Sequence, residues 1–186
     1  MDQKPELYAY VREAMRKMSK IGIEIVVFGS GGARRIPDDM TPEEGLKKLE
    51  AFLIKCAEIA KEFNMIVAIE PLNKKESNIF ITVGEALQTV RKLNLDNIRV
   101  LADAYHMYCE NEPLSILEEA LPYLVHVHVA EPYHRTYPGQ EGGEYLINFA
   151  NKLKEIGYSK RVTAECGFKD FGSESILAYD FMKKTF

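Results

Sequence analysis

A chain of 186 residues that is 46% hydrophobic and 28% charged can bury a substantial core in one domain, and nothing in it reads as disordered. Its 24 basic and 28 acidic residues leave a net charge near −4, the wrong sign for a general nucleic-acid or anionic-membrane binder. Three cysteines, Cys56, Cys109 and Cys166, are an odd number without CxxC spacing, which argues against a disulfide framework or a zinc ribbon and fits a reducing cytoplasm.

Residues 1–6 carry no apolar signal core, and no run approaches the roughly 18 apolar residues of a bilayer span, so secretion and membrane insertion are not expected. Leu7, Val11, Ala14, Met15 and Met18 recur at helical spacing and predict an amphipathic helix over about residues 5–20. Residues 21–28 are apolar and β-branched and break at Gly29-Ser30-Gly31-Gly32, as a buried strand entering a loop does.

Thr41-Pro42-Glu43-Glu44 reads as a capping box with proline at the first helical position, opening a helix of roughly six turns through Phe63. Residues 66–70 form a strand pattern ending in Glu70, followed by an irregular loop over 71–80. A second capping box, Thr82 to Glu85, opens a helix to about Leu93. A strand to Asp103, a short helix from Pro113, a strand to His128, a helix over 144–156 closed by Gly157, a strand to Glu165 and a last helix from about Glu174 complete the chain. Five alternating strand and helix units predict a parallel sheet with right-handed crossovers in one α/β domain over residues 1–186.

Four successive strands end in a side chain able to bind a metal: Glu70, Asp103, His128 and Glu165. Taken singly, an acidic residue after a strand is more often a helix cap. A parallel sheet collects its active site at the carboxyl ends of its strands, and convergence from four neighbouring strands requires barrel curvature rather than an open doubly wound sheet. His126 and His128 share a strand face; His128 is nearer the carboxyl end and is the expected ligand. Three carboxylates and one imidazole make a hard, mainly oxygen site suited to Mn or Mg and tolerant of Co or Zn.

Glu70-Pro-Leu-Asn73-Lys-Lys-Glu76, Asp103-Ala-Tyr-His106-Met, His126-Val-His128-Val-Ala-Glu131 with Arg135-Thr-Tyr-Pro-Gly139, and Ala164-Glu165 resemble the four metal-site motifs of the xylose-isomerase-like TIM-barrel superfamily. Within it the chain is most similar to sugar phosphate isomerases/epimerases and to the D-tagatose/D-psicose 3-epimerases. The resemblance implies a divalent metal (Mn, Mg, Co or Zn) on Glu70, Asp103, His128 and Glu165, with Glu70 and Glu165 also acting as the acid/base pair on either face of an enediolate. It implies substrate contacts from Glu76, His106 and Arg135. The step from His128 to Arg135 is one residue longer than the usual epimerase spacing, and His134 competes for the position, while the distance back from Pro138-Gly139 fits Arg135. Arg34 and Arg35, beside the glycines, are candidates for a phosphate. Tyr105, Tyr133 and Phe168 read either as packing or as sugar-stacking residues.

The expected ligand is therefore a small sugar or sugar phosphate, with neither nucleic acid nor membrane as a partner. Epimerisation and aldose-ketose isomerisation both remain open. So do an inosose dehydratase or hydroxypyruvate isomerase-like activity, an endonuclease IV-like repair enzyme, and a non-catalytic remnant that keeps the metal site. The repair reading would need a trinuclear zinc cluster with further histidines. A full barrel takes about 250 residues and eight strands, and the resemblance covers only its fourth to eighth units. The expected fold is thus an incomplete TIM barrel whose open sheet edges invite a homo-oligomer.

Overall fold

The computed structural model describes residues 5–186, so most of the stretch read for a signal core lies outside the described residues. After helix α1 (Pro5–Lys20) come strand β1 (Ile25–Phe28), a single helical turn α2 (Gly31–Arg34) and helix α3 (Pro42–Lys61). Strand β2 (Ile66–Ile69) and helix α4 (Val83–Leu93) follow, then β3 (Ile98–Asp103), α5 (Ala104–Cys109) and α6 (Ile116–Ala120). The chain continues through β4 (Leu124–Val129), α7 (Glu144–Glu155), β5 (Val162–Ala164) and α8 (Phe171–Thr185). All four strand pairings are parallel and the strand order is the chain order, β1-β2-β3-β4-β5. The result is an incomplete α/β TIM-barrel-like fold, a curled half-barrel with helices on its outside.

Two layers of side chains follow from the two-residue period of the strands. Ile69, Val100, Leu124, Val127 and Val129 face the helices and join Leu53, Leu87, Leu117, Leu146 and Phe149 in one continuous core. Each of these large side chains contributes about 1.5–3 kcal/mol on burial. The opposite face carries a small cluster of Ala68, Leu101 and Val125 with Ile25 and Ile66 against it, and Val27 on the edge strand stays 38% exposed.

The strand faces are not in simple phase. Val100 pairs with Leu124, but a register shift follows and Leu101 pairs with His126 and Asp103 with His128. Without that extra residue in β4, strict alternation from Leu124 would send His128 outward into the helical layer. The bulge turns both histidines onto the inner face, beside Asp103.

Several boundaries differ from the sequence reading. The first strand begins at Ile25, because Ile21 and Gly22 form a turn bonded to Met18 and Ser19, with Gly22 at φ +78° and Ile21 77% exposed. The glycine loop contains α2, and Asp103 starts a helix, α5, that the periodicity did not reveal because it is only six residues long. α6 starts at Ile116 after a turn from Pro113, and α8 at Phe171. Thr41 and Glu44 do form the complete capping box. At α4, Thr82 caps the N–H of Glu85, but the Glu85 carboxylate accepts from Ile81, one residue beyond the cap.

Candidate metal centre

Glu70 and Glu165 immediately follow β2 and β5, Asp103 closes β3, and His128 lies near the end of β4. One ligand atom from each lies within 4.8 Å of all the others. In a flat sheet β2 and β5 would stand about 14 Å apart, so the curl of the sheet brings this group together. His128 Nδ1 is 2.7 Å from Glu70 Oε1, 3.6 Å from Glu165 Oε2 and 4.0 Å from Asp103 Oδ2. Glu70, Asp103 and His128 are buried, whereas the Glu165 side chain is 45% exposed. His126 sits one step back along β4, its ring edge-on to His128 and its Nε2 3.0 Å from Thr163 Oγ1, and it is not part of the group.

Local sequence explains how each side chain is held. Gly29, at the end of β1, leaves the space that Glu70 fills: a Cβ there would lie 3.0 Å from Glu70 Cδ and closer still to Oε2. Asp103 is the N-cap of α5; its Oδ1 accepts from the N–H groups of Tyr105 (2.7 Å) and His106 (3.3 Å). Its other oxygen, Oδ2, is buried without a partner. One carboxylate oxygen thus builds the helix and the second is left facing the group.

The electrostatics are those of a site made for positive charge. Burial, then the neighbouring Glu70, pushes the Asp103 carboxyl up from 3.8 to about 7. Burial works against a charged His128, but its hydrogen bond to Glu70 and the surrounding carboxylates outweigh this and raise it. Protons therefore gather where three carboxylates converge, and an orphaned, buried carboxylate oxygen remains. This donor set fits a divalent cation, with Nδ1 the imidazole atom turned toward it.

The three other predicted residues line up beside this group. Arg135 Nη2 donates to Glu165 Oε2 at 2.8 Å and Nη1 lies 3.4 Å from both Glu76 oxygens. The guanidinium stands 4.9 Å over the Tyr105 ring. Arg135 adopts φ +53°, an uncommon left-handed backbone for a non-glycine residue, fixed by hydrogen bonds from its N–H to Glu131 and from the Gly167 N–H to its carbonyl. His134 points away, exposed and paired with Glu141 at 2.9 Å. His106 is buried and its pKa is lowered to about 4, first by burial and then by Arg135, so its ring is neutral near pH 7.

Two residues given no role at the start prove central here. Gly29 shapes the seat of Glu70, and Asn73 contacts both His106 and Glu76. Only position signalled them: a glycine directly after a strand and an asparagine three residues before Glu76. Tyr105 serves as a platform for Arg135, while Phe168 stacks on Tyr137 with centroids 6.1 Å apart and Tyr133 lies edge-on to Tyr108. The suggestion that Arg34 binds phosphate fails on burial. Arg34 is 1% exposed, donates to the Phe28 carbonyl at 2.6 Å and lies 5.7 Å from the Phe28 and Phe80 rings.

A family model described as xylose isomerase-like TIM barrel matches residues 3–181. Over 143 residues the chain is 32% identical to a ketose 3-epimerase of Arthrobacter globiformis, covering 75% of this chain and 46% of that protein. The structure resembles that of a D-psicose 3-epimerase with D-tagatose from Clostridium cellulolyticum H10, with TM-score 0.84 and 20% identity over 99% of this chain and 73% of that one. It also resembles the IOLI protein with a bound zinc atom, with TM-score 0.81 and 21% identity, covering 100% of this chain and 73% of that one. The chain spans about half the length of the curated relatives it matches. Among the described residues no helix is long and apolar enough to cross a membrane.

Proposed function

Because this chain belongs to the xylose isomerase-like TIM-barrel family, we propose that it is a metal-dependent sugar or sugar-phosphate isomerase/epimerase working by proton transfer through an enediolate. The observation that carries the reading is the convergence of Glu70, Asp103, His128 and Glu165 within 4.8 Å, with Glu76, His106 and Arg135 beside them. Relatives named as sugar epimerases, and one named inosose isomerase, support the reaction class.

A divalent cation held by those four residues would supply a Lewis acid that lowers the cost of negative charge on the sugar carbonyl oxygen. The zinc of the IOLI protein supports a metal without selecting among Mn, Mg, Co and Zn. Glu70 and Glu165 form the acid/base pair. One carboxylate takes the proton from the carbon next to the carbonyl, the C–H electron pair becomes the enediolate double bond, and the other returns a proton to the opposite face. The two differ in setting: Glu70 is buried behind Gly29, and Glu165 is reachable from solvent and held by Arg135. Arg135 orients the Glu165 carboxylate through its Nη2 hydrogen bond, neutral His106 serves as a hydrogen-bond donor to a substrate oxygen, and Glu76 accepts from a hydroxyl.

Inosose dehydration and hydroxypyruvate isomerisation would use the same donor set, and the similarity to an inosose isomerase keeps cyclic polyol ketones among the substrates to test. Among the described residues one group, Glu70, Asp103, His128 and Glu165, suits a metal. The outer edges of β1 and β5 pair with no strand among the described residues, and Phe171, Ile176, Leu177 and Tyr179 of α8 are exposed. Association with a second copy would cover such surface. Three free cysteines suit a reducing cytoplasm.

Metal-loaded protein incubated in deuterated water with a panel of ketoses, aldoses, their phosphates and inososes tests the activity. The expected result is deuterium at an exchangeable carbon of at least one sugar, reduced at least about 100-fold in Glu165→Gln. Bound metal with no exchange on any member of the panel would favour a non-catalytic role.

A further inference from the structure

Asn73 is 2% exposed and every hydrogen-bonding group it has is engaged in the loop after β2. Its side-chain oxygen accepts from the Lys75 N–H at 3.0 Å, and its carbonyl accepts from the N–H groups of Glu76 (2.9 Å) and Ser77 (3.1 Å). With Oδ1 committed to Lys75, the amide nitrogen must occupy the other side. There Nδ2 lies 3.0 Å from Glu76 Oε1 and 2.9 Å from His106 Nδ1, and the Asn73 backbone N–H also reaches His106 Nδ1, at 3.1 Å.

Two N–H donors thus converge on one imidazole nitrogen. A proton on Nδ1 would face both of them with no acceptor in reach, so Nδ1 must be the lone-pair nitrogen and the proton must reside on Nε2. That Nε2 is buried and has no partner in the structure. A buried donor left unpaired is unfavourable, and such a group persists in a fold where a bound oxygen satisfies it.

We propose that Asn73 is a positioning residue that locks His106 in the Nε2–H tautomer while holding Glu76, so that one side chain sets the donor and the acceptor of the substrate pocket together. The lock makes this part of the pocket selective. The ligand atom at His106 must be an acceptor, a carbonyl or hydroxyl oxygen, and the ligand group at Glu76 must bring a hydrogen. A hydroxycarbonyl sugar supplies both, whereas a deoxy analogue leaves one of the two unpaired. The link to catalysis rests on the function proposed above; the tautomer itself does not.

Protein labelled with ¹⁵N at its four histidines tests this without any substrate, by two-bond proton–nitrogen correlation at a pH where His106 is neutral. The expected spectrum shows His106 with an unprotonated Nδ1 and a protonated Nε2, and a wild-type His106 carrying its proton on Nδ1 would overturn the proposal. Asn73→Asp retains the acceptor for the Lys75 N–H and replaces the amide donor by an acceptor. It is expected to move proton density onto Nδ1, visible as a shift of that nitrogen toward the protonated range, and to slow deuterium exchange by roughly tenfold or more. A folded Asn73→Asp protein with the wild-type His106 pattern would also overturn it, and Asn73→Ala, which removes the side-chain donor altogether, provides a second variant. Absence of exchange in a protein whose tautomer is locked as described would count against the proposed function and leave the role of Asn73 standing.

Discussion

Gly29→Ala separates the metal centre from the fold that carries it. A Cβ at Gly29 would stand inside the Glu70 carboxylate and 3.3 Å from Val27 Cγ1, while the Gly29 backbone is not in the left-handed region. The added methyl itself is therefore not strained; the carboxylate must move. Oε2 has to retreat by about 1.5 Å to reach ordinary contact distance, whereas coordination tolerates errors of only about 0.2 Å. Glu70 is also the 2.7 Å partner of His128 Nδ1, so its displacement disturbs two of the four proposed ligand atoms. Because the group displaced is the end of a flexible side chain, the expected stability loss is only about 1–2 kcal/mol, against a loss of about 10–100-fold in cation affinity. Two neighbours calibrate the result. At Gly32 a Cβ meets nothing within 4 Å, and Gly32→Ala should bind metal normally. At Gly31 a Cβ would meet the Glu76 backbone oxygen and lie 3.1 Å from Leu72 Cδ1, so Gly31→Ala should cost stability first. Calorimetric titration with Mn²⁺, paired with thermal melts in chelator, reads both quantities. Wild-type Mn²⁺ affinity in a folded Gly29→Ala protein would refute the assignment of Glu70 as a ligand.

Proton linkage makes the second prediction. Asp103 titrates near 7 in the folded protein instead of 3.8, so its contribution to metal-free stability is fully present below about pH 4 and disappears as pH rises toward 7, by roughly 4 kcal/mol. His128, also raised, acts in the same direction as pH rises through its own value, whereas His106, lowered to about 4, costs stability as pH falls from 6.5 toward 4. Since a cation must displace the protons on Asp103 and His128, its affinity should rise between about pH 6 and 8 with measurable proton release; a pH-independent affinity would contradict this. Thr41→Ala should lower stability by about 1 kcal/mol in denaturant melts, since it removes one half of the capping box of α3 and strands the other, and leave metal binding unchanged. Light scattering over a dilution series should show a dimer or larger assembly, and a monomer persisting at high concentration would refute association through the open sheet edges.

Much of this site was legible along the chain because its elements are local. Apolar β-branched runs ending in Glu70, Asp103, His128 and Glu165 mark strands and their carboxyl ends without reference to any distant contact, and the shared face of His126 and His128 follows from the two-residue period alone. Thr41 to Glu44 is equally local, and both halves of that box are formed. What sequence could not supply were features settled by space between elements. The bulge in β4 that turns His128 inward exists only relative to the register of β3. Gly29 matters only because Glu70 of the next strand fills its missing side chain, and Arg34 is spent between Phe28 and Phe80 rather than offered to a phosphate. Asn73 looks like an ordinary loop residue until the fold sets it against His106, 33 positions later. Sequence determined which chemical groups stand at the strand ends, because that depends on short-range periodicity. Tertiary structure decided which oxygen of Asp103 is left free and which nitrogen of His106 keeps its proton, because a hydrogen bond is assigned only when both partners are in place.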